Sequence, residues 1–147
     1  MRHLTLIVAA ILLAPALFGQ EIPERILEHI DDSRISLDYS CTVKAQPPFD
    51  NRGSLIIPGN CYRLRTSGFE IYCDARSRWT VDTASKEVVI EPSEGTAEFL
   101  GDTEGYLSMV ENLKLSNVRY AEPDNDIGIF VYDCAGLGDD WVVTDLR

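Results

Sequence analysis

The chain has 147 residues, 45% hydrophobic and 25% charged, with four cysteines, which suits one compact domain and excludes a disordered or collagen-like chain. Its 13 basic residues against 24 acidic ones give a formal charge of −11. With no Lys/Arg-rich run, counterion release from phosphates has nothing to act through, so nucleic acid is not an expected partner.

Residues 1–20 begin with Arg2, run through apolar residues from Leu4 to Phe18 and end in small or polar ones, the pattern of a cleavable signal peptide with cleavage expected at Gln20. The apolar run is shorter than the roughly 20 residues that cross a bilayer, and no cysteine follows it closely enough to take a lipid. The expectation is an exported, periplasmic, acidic domain over residues 21–147 with no membrane span.

Pro23 followed by Ile26, Leu27 and Ile30, with Glu24, Glu28 and Asp31 on other faces, predicts an amphipathic helix ending near Asp32 or Ser33. The period then changes to two. Leu37, Tyr39, Cys41 and Val43 alternate with Asp38, Ser40, Thr42 and Lys44, and further short strands are expected at Gly53–Ile57, Cys61–Thr66, Phe69–Cys73, Arg78–Asp82 and Glu87–Glu91. Their turns are too short for parallel crossovers, so these six strands should form an antiparallel meander. Phe99, Leu100, Tyr106, Leu107, Met109, Val110 and Leu113 fit a second helix from about Thr103 to Leu113 behind an Asp102 cap. Strands are expected again at Leu115–Ala121, Ile127–Cys134 and Trp141–Thr144. Few helices segregated from runs of strands predict an α+β fold, with two helices packed on one face of a long curled antiparallel sheet.

In an exported protein Cys41, Cys61, Cys73 and Cys134 are disulfide candidates. Cys61 and Cys73 flank a hairpin folded around Ser67-Gly68, which leaves Cys41 with Cys134 by elimination. A two-residue loop would set Tyr62 opposite Cys73 and Leu64 opposite Ile71, giving an apolar face but sending Cys61 to the other side. A three-residue loop would align Cys61 with Cys73, and both registers stay open.

Beyond residue 20 the one imidazole is His29, on the polar margin of the first helix, so neither a Ser-His-Asp nor a Cys-His arrangement is available. The glycines form no phosphate-cradling loop, and the cysteine spacing is not that of a zinc site. Carboxylates cluster at Asp31-Asp32, Glu91 and Glu94, Asp124 and Asp126, and Asp139-Asp140, all at expected element ends where acidic residues serve turns and caps. Residues 124–128 lack the ligands at the fifth and twelfth positions of a calcium loop. The expectation is a protein without catalytic residues, cofactor or metal.

The run Gly53-Ser-Leu-Ile-Ile-Pro58, then Tyr62-Arg-Leu-Arg65, then Ile71-Tyr-Cys-Asp74-Ala-Arg-Ser-Arg-Trp79, following a helix and a strand, resembles the periplasmic LolA-type carriers of outer-membrane lipoproteins. The match covers about Glu21 to Glu91. This chain has Ala75 and Val81 where the family favours glycine and tyrosine, and Ile57 where the family has an arginine that holds its lid. The resemblance implies an unclosed half-barrel of strongly curved antiparallel sheet, with helices on its concave face and acyl chains held between. Lipoproteins or other acylated ligands would be the cargo, and membrane-bound donor and acceptor proteins the further partners. Tyr39, Tyr62, Leu64, Ile71, Trp79, Tyr106 and Met109 would line the cavity, and 93–105 would carry the lid hinge. A tightly packed version of the same fold would instead be an exported interaction module with an acidic binding face.

Overall fold

The computed structural model describes residues 28–66, 68–95, 108–123 and 127–147. The expected signal peptide, the expected first helix before Glu28, the expected second helix before Ser108, Tyr106, Ser67, Asp124 to Asp126 and the expected hinge segment past Gly95 lie outside the described residues.

Eight strands form a single sheet: β1 (Arg34–Val43), β2 (Phe49–Ile57), β3 (Tyr62–Thr66), β4 (Phe69–Cys73), β5 (Ser77–Asp82), β6 (Glu87–Pro92), β7 (Val110–Ala121) and β8 (Val142–Asp145). The spatial order is β7-β1-β2-β3-β4-β5-β6-β8. All neighbours are antiparallel except β6 and β8, which run parallel. The first six strands lie where alternation and turn residues place them. The expected α+β architecture does not hold: this is a mixed β-sheet. Among the described residues helical backbone is limited to Glu28 and His29, to Gly95, and to two three-residue 3-10 turns at Gly128–Phe130 and Cys134–Gly136.

The second helix is overturned at its C-terminal end, because Val110 to Leu113 open β7. The reason is geometric. The β1/β7 ladder shifts register between Ser36 and Asp38 and again between Ser40 and Thr42, and Asn112 and Asn117 take left-handed φ values of 55° and 51°. Each shift inserts one extra residue into β7, the signature of a β-bulge. Apolar residues that keep to one face therefore fall at Val110, Leu113, Leu115, Val118 and Tyr120, a spacing of three and two that imitates a helical stripe. Likewise, the strand expected at Ile127–Cys134 is instead a 3-10 turn and extended chain.

The sheet buries different faces at its two ends. On one face Ile35, Leu37, Tyr39, Cys41 and Val43 of β1 join Leu55, Ile57, Tyr62, Leu64, Ile71, Cys73 and Val110. On the opposite face Tyr72, Trp79, Val81, Val88 and Ile90 of β4 to β6 meet Tyr132, Cys134, Leu137 and Trp141 from the C-terminal segment. Residues 71–73 are buried consecutively, so β4 is shared by both clusters. Each large apolar side chain fully withdrawn from water contributes about 1.5–3 kcal/mol before the entropy of ordering it is subtracted.

Candidate ligand-binding face

Four of the seven residues expected to line a cavity lie together. Tyr39, Tyr62, Leu64 and Ile71 share the first face, and all are fully or almost fully buried. Register explains why. Leu37 pairs with Leu55, Leu55 with Leu64 and Leu64 with Ile71, so one apolar row crosses four strands, ~14 Å at the usual strand spacing. Along β1 the alternating residues from Ile35 to Val43 extend the floor for ~27 Å. The described residues packed onto it are Ile30, Ala45, Phe69, Leu113, Leu115 and Val118, which belong to the sheet or flank β1.

The pairing of Tyr62 with Cys73 and of Thr66 with Phe69 is the register that keeps the apolar face intact. Alternation across the hairpin outweighs alignment of Cys61 with Cys73. All four cysteines are free thiols. Cys41 sits in the first cluster and Cys134 packs on the second, so the sheet itself separates that expected pair. The Cys73 thiol meets Ser93 Oγ at 3.3 Å.

One polar notch interrupts the floor. Tyr39 donates to Asn51 Oδ1 at 2.7 Å, and the Thr66 hydroxyl reaches the same oxygen at 3.4 Å. Gly53 makes room, since a Cβ there would stand 2.0 Å from the Arg65 carbonyl oxygen and 3.0 Å from the Tyr39 hydroxyl. Burial raises the Tyr39 phenol above its ordinary range, and burial, then the Asp50 carboxylate, pushes the Cys41 thiol up to about 11. Both stay neutral at physiological pH, as an apolar surface requires.

Of the other three expected lining residues, Tyr106 lies outside the described residues and two are elsewhere. Trp79 pairs with Tyr72 and Ile90 on the opposite face and belongs to the second cluster. It is therefore a core residue beneath the C-terminal segment. Met109 is 39% exposed just before β7, where its carbonyl accepts the Lys44 N–H at 2.9 Å. The near end of the expected hinge is fixed in place: Ser93 donates its N–H to the Arg76 carbonyl, and Gly95 N–H donates to Ser93 Oγ at 3.1 Å.

Sequence reasoning missed what holds the second face. Phe130, fully buried, belongs to a 3-10 turn that lies against β3 and β4, with the Arg34 guanidinium 5.6 Å from its ring. Arg63 lies 4.9 Å over the Tyr72 ring, and Tyr72 meets Tyr132 at 5.2 Å. No spacing rule points to Phe130 or Tyr132, which meet their partners from far along the chain, whereas Arg63 and Tyr72 face each other across the β3–β4 hairpin. His29 is on the surface, 3.2 Å from Asp32 and edge-on to Tyr120. Among the described residues no three His, Cys, Asp or Glu side chains are grouped to hold a metal, and no helix is long and apolar enough to cross a membrane. No protein-family model matches the chain, and no curated protein matches it either.

Proposed function

We propose that this protein is an exported, periplasmic carrier that shields the acyl chain of a lipoprotein or a similar ligand on the apolar face of β1 to β4, passing it between membrane-bound donor and acceptor proteins. The observation that carries this reading is the continuity of that face, where an apolar row spans four strands without a charged side chain. Removing an acyl chain from water there would contribute ~0.8 kcal/mol per buried methylene with no covalent step.

Two positions of the LolA-type resemblance support it on structural grounds. Gly53 stands where a side chain would strike the neighbouring strand. Ala75, which replaces the family's glycine, holds φ at 70°, the left-handed conformation that glycine adopts without strain. Asp74 stabilises the same turn, its Oδ1 accepting the Arg76 and Ser77 N–H groups at 2.9 and 2.8 Å. Ala75→Gly should therefore stabilise the protein by about 1 kcal/mol, strain relief outweighing the added chain entropy. Chemical unfolding would show it as a higher midpoint at constant slope. A lower midpoint would mean that the turn is not strained.

The carrier reading is tested by extracting the protein, purified from the periplasm, with organic solvent and identifying acyl species by mass spectrometry, together with titration of a fluorescent fatty-acid probe. Stoichiometric acyl chains and saturable probe binding, weakened by Leu64→Asn in protein that still unfolds cooperatively, are expected. Protein that carries no lipid and binds no probe would overturn the proposal, in favour of an interaction module with a filled core.

A further inference from the structure

The two bulges of β7 are copies of one another. Residues 111–115 read Glu-Asn-Leu-Lys-Leu and residues 116–120 read Ser-Asn-Val-Arg-Tyr, each with its asparagine in the left-handed conformation. In each copy the bulge turns two apolar residues toward the floor and a cation, Lys114 or Arg119, toward the opposite, polar face of β7, β1 and β2. Where each bulge opens the ladder, a hollow lies over β1. One, of about 170 Å³, is lined by residues that include Ser40, Asp50, Arg52, Asn112 and Lys114. The other, of about 330 Å³, is lined by residues that include Leu37, Asp38, Asn117 and Arg119. Cys41 and Leu37 are the β1 residues that the register shifts leave without a β7 partner.

The two hollows differ in charge. Ser40 pairs with Arg52 on one side and with Lys114 on the other, so two cations flank one hydroxyl, ~10 Å apart at their Cα atoms across two strand spacings. Neither cation has a hydrogen-bonded or ionic side-chain partner among the described residues. This stands out in a chain with 24 acidic residues against 13 basic ones. Of the carboxylates around them, Asp50 accepts the Thr42 hydroxyl at 2.9 Å and leaves one cation in excess, and Glu111 lies 4.0 Å from Lys44. In the second hollow Asp38 stands beside Arg119 and accepts from Asn117 Nδ2 at 2.7 Å, so one carboxylate balances one cation there, whereas in the first Asp50 stands against two cations.

We infer that the hollow over Ser40 is a binding site for a phosphate group, held between Lys114 and the planar donors of Arg52 with the Ser40 hydroxyl beneath it. It lies on the opposite side of the sheet from the acyl floor and stands independently of the carrier proposal. A phosphate monoester or diester satisfies the same donors whether it is free in solution or part of a lipid headgroup.

The test is an amide NMR titration of the folded chain with inorganic phosphate, paired with co-sedimentation on phosphatidylglycerol and phosphatidylcholine vesicles. Saturable shifts centred on Ser40, Arg52 and Lys114 are expected. The dissociation constant should rise at least about tenfold, the loss expected when charge-assisted contacts are removed, in the Arg52→Gln, Lys114→Gln double variant and stay unchanged in Arg119→Gln. All three side chains are exposed, so these variants should fold. Phosphatidylglycerol binding lost in the same double variant would identify a headgroup as the source, and phosphate binding without vesicle binding a soluble phosphate. Unsaturable or scattered shifts in the natural chain, or equal affinity in the double variant, would overturn the inference.

Discussion

Gly53→Ala should destabilise the protein by about 3 kcal/mol, at the upper end of what overpacking costs. The added methyl would stand 2.0 Å from the Arg65 carbonyl oxygen, a backbone atom that cannot swing aside as a side chain would. Relief requires β2 and β3 to separate at the pair Gly53 and Thr66, beside the Tyr39, Asn51 and Thr66 hydrogen bonds. Gly59→Ala is the control: its φ is 58°, but nothing lies within 4 Å of the new methyl, so about 1 kcal/mol of conformational strain is the expected cost. Urea unfolding of both variants measures the difference. Equal losses would show that close strand approach is not what demands glycine at 53.

Phe130→Ala should cost about 4 kcal/mol, within the range for truncating a fully buried aromatic. Phe130 is fully buried in a 3-10 turn that lies against β3 and β4 with little backbone support of its own, so its side chain should anchor the segment. Its removal leaves a cavity and takes away the ring beneath the Arg34 guanidinium. Hydrogen exchange should quicken from Gly128 to Trp141 more than in β1 or β2. Uniform acceleration across the sheet would mean that the segment has no separate anchoring. An Arg34→Ala partner variant would measure the cation–π share, about 0.5–2 kcal/mol, through a double-mutant cycle.

The meander of β1 to β6 was legible because a half-buried strand writes its burial into every second residue and its ends into Pro, Gly and Asn. Tyr39, Tyr62, Leu64 and Ile71 fall on one face by that alternation. Trp79 lies on the face opposite those four, in a strand where Trp79, Thr80 and Val81 are all buried. Where both sides of a strand are covered, alternation disappears, and the pairing of Trp79 with Tyr72 is what decides its side. In β7 the two bulges alter the period itself, so a strand imitates a helix. The C-terminal segment carries no period because tertiary contacts place it: Trp141 packs on the second cluster, while Val142 N–H reaches Lys86 carbonyl at 2.9 Å. The phosphate site was invisible for a related reason. Lys114, Ser40 and Arg52 become neighbours only through a register that the bulges set.

Because β4 is shared by the two clusters, the protein carries an optical reporter placed away from the apolar face of β1 to β4. Both tryptophans, Trp79 and Trp141, belong to the cluster on the far side of the sheet from that face. Their emission is thus shielded from direct quenching by anything lodged beside Leu64, and a change in it upon loading would register strain relayed through the thickness of a single strand.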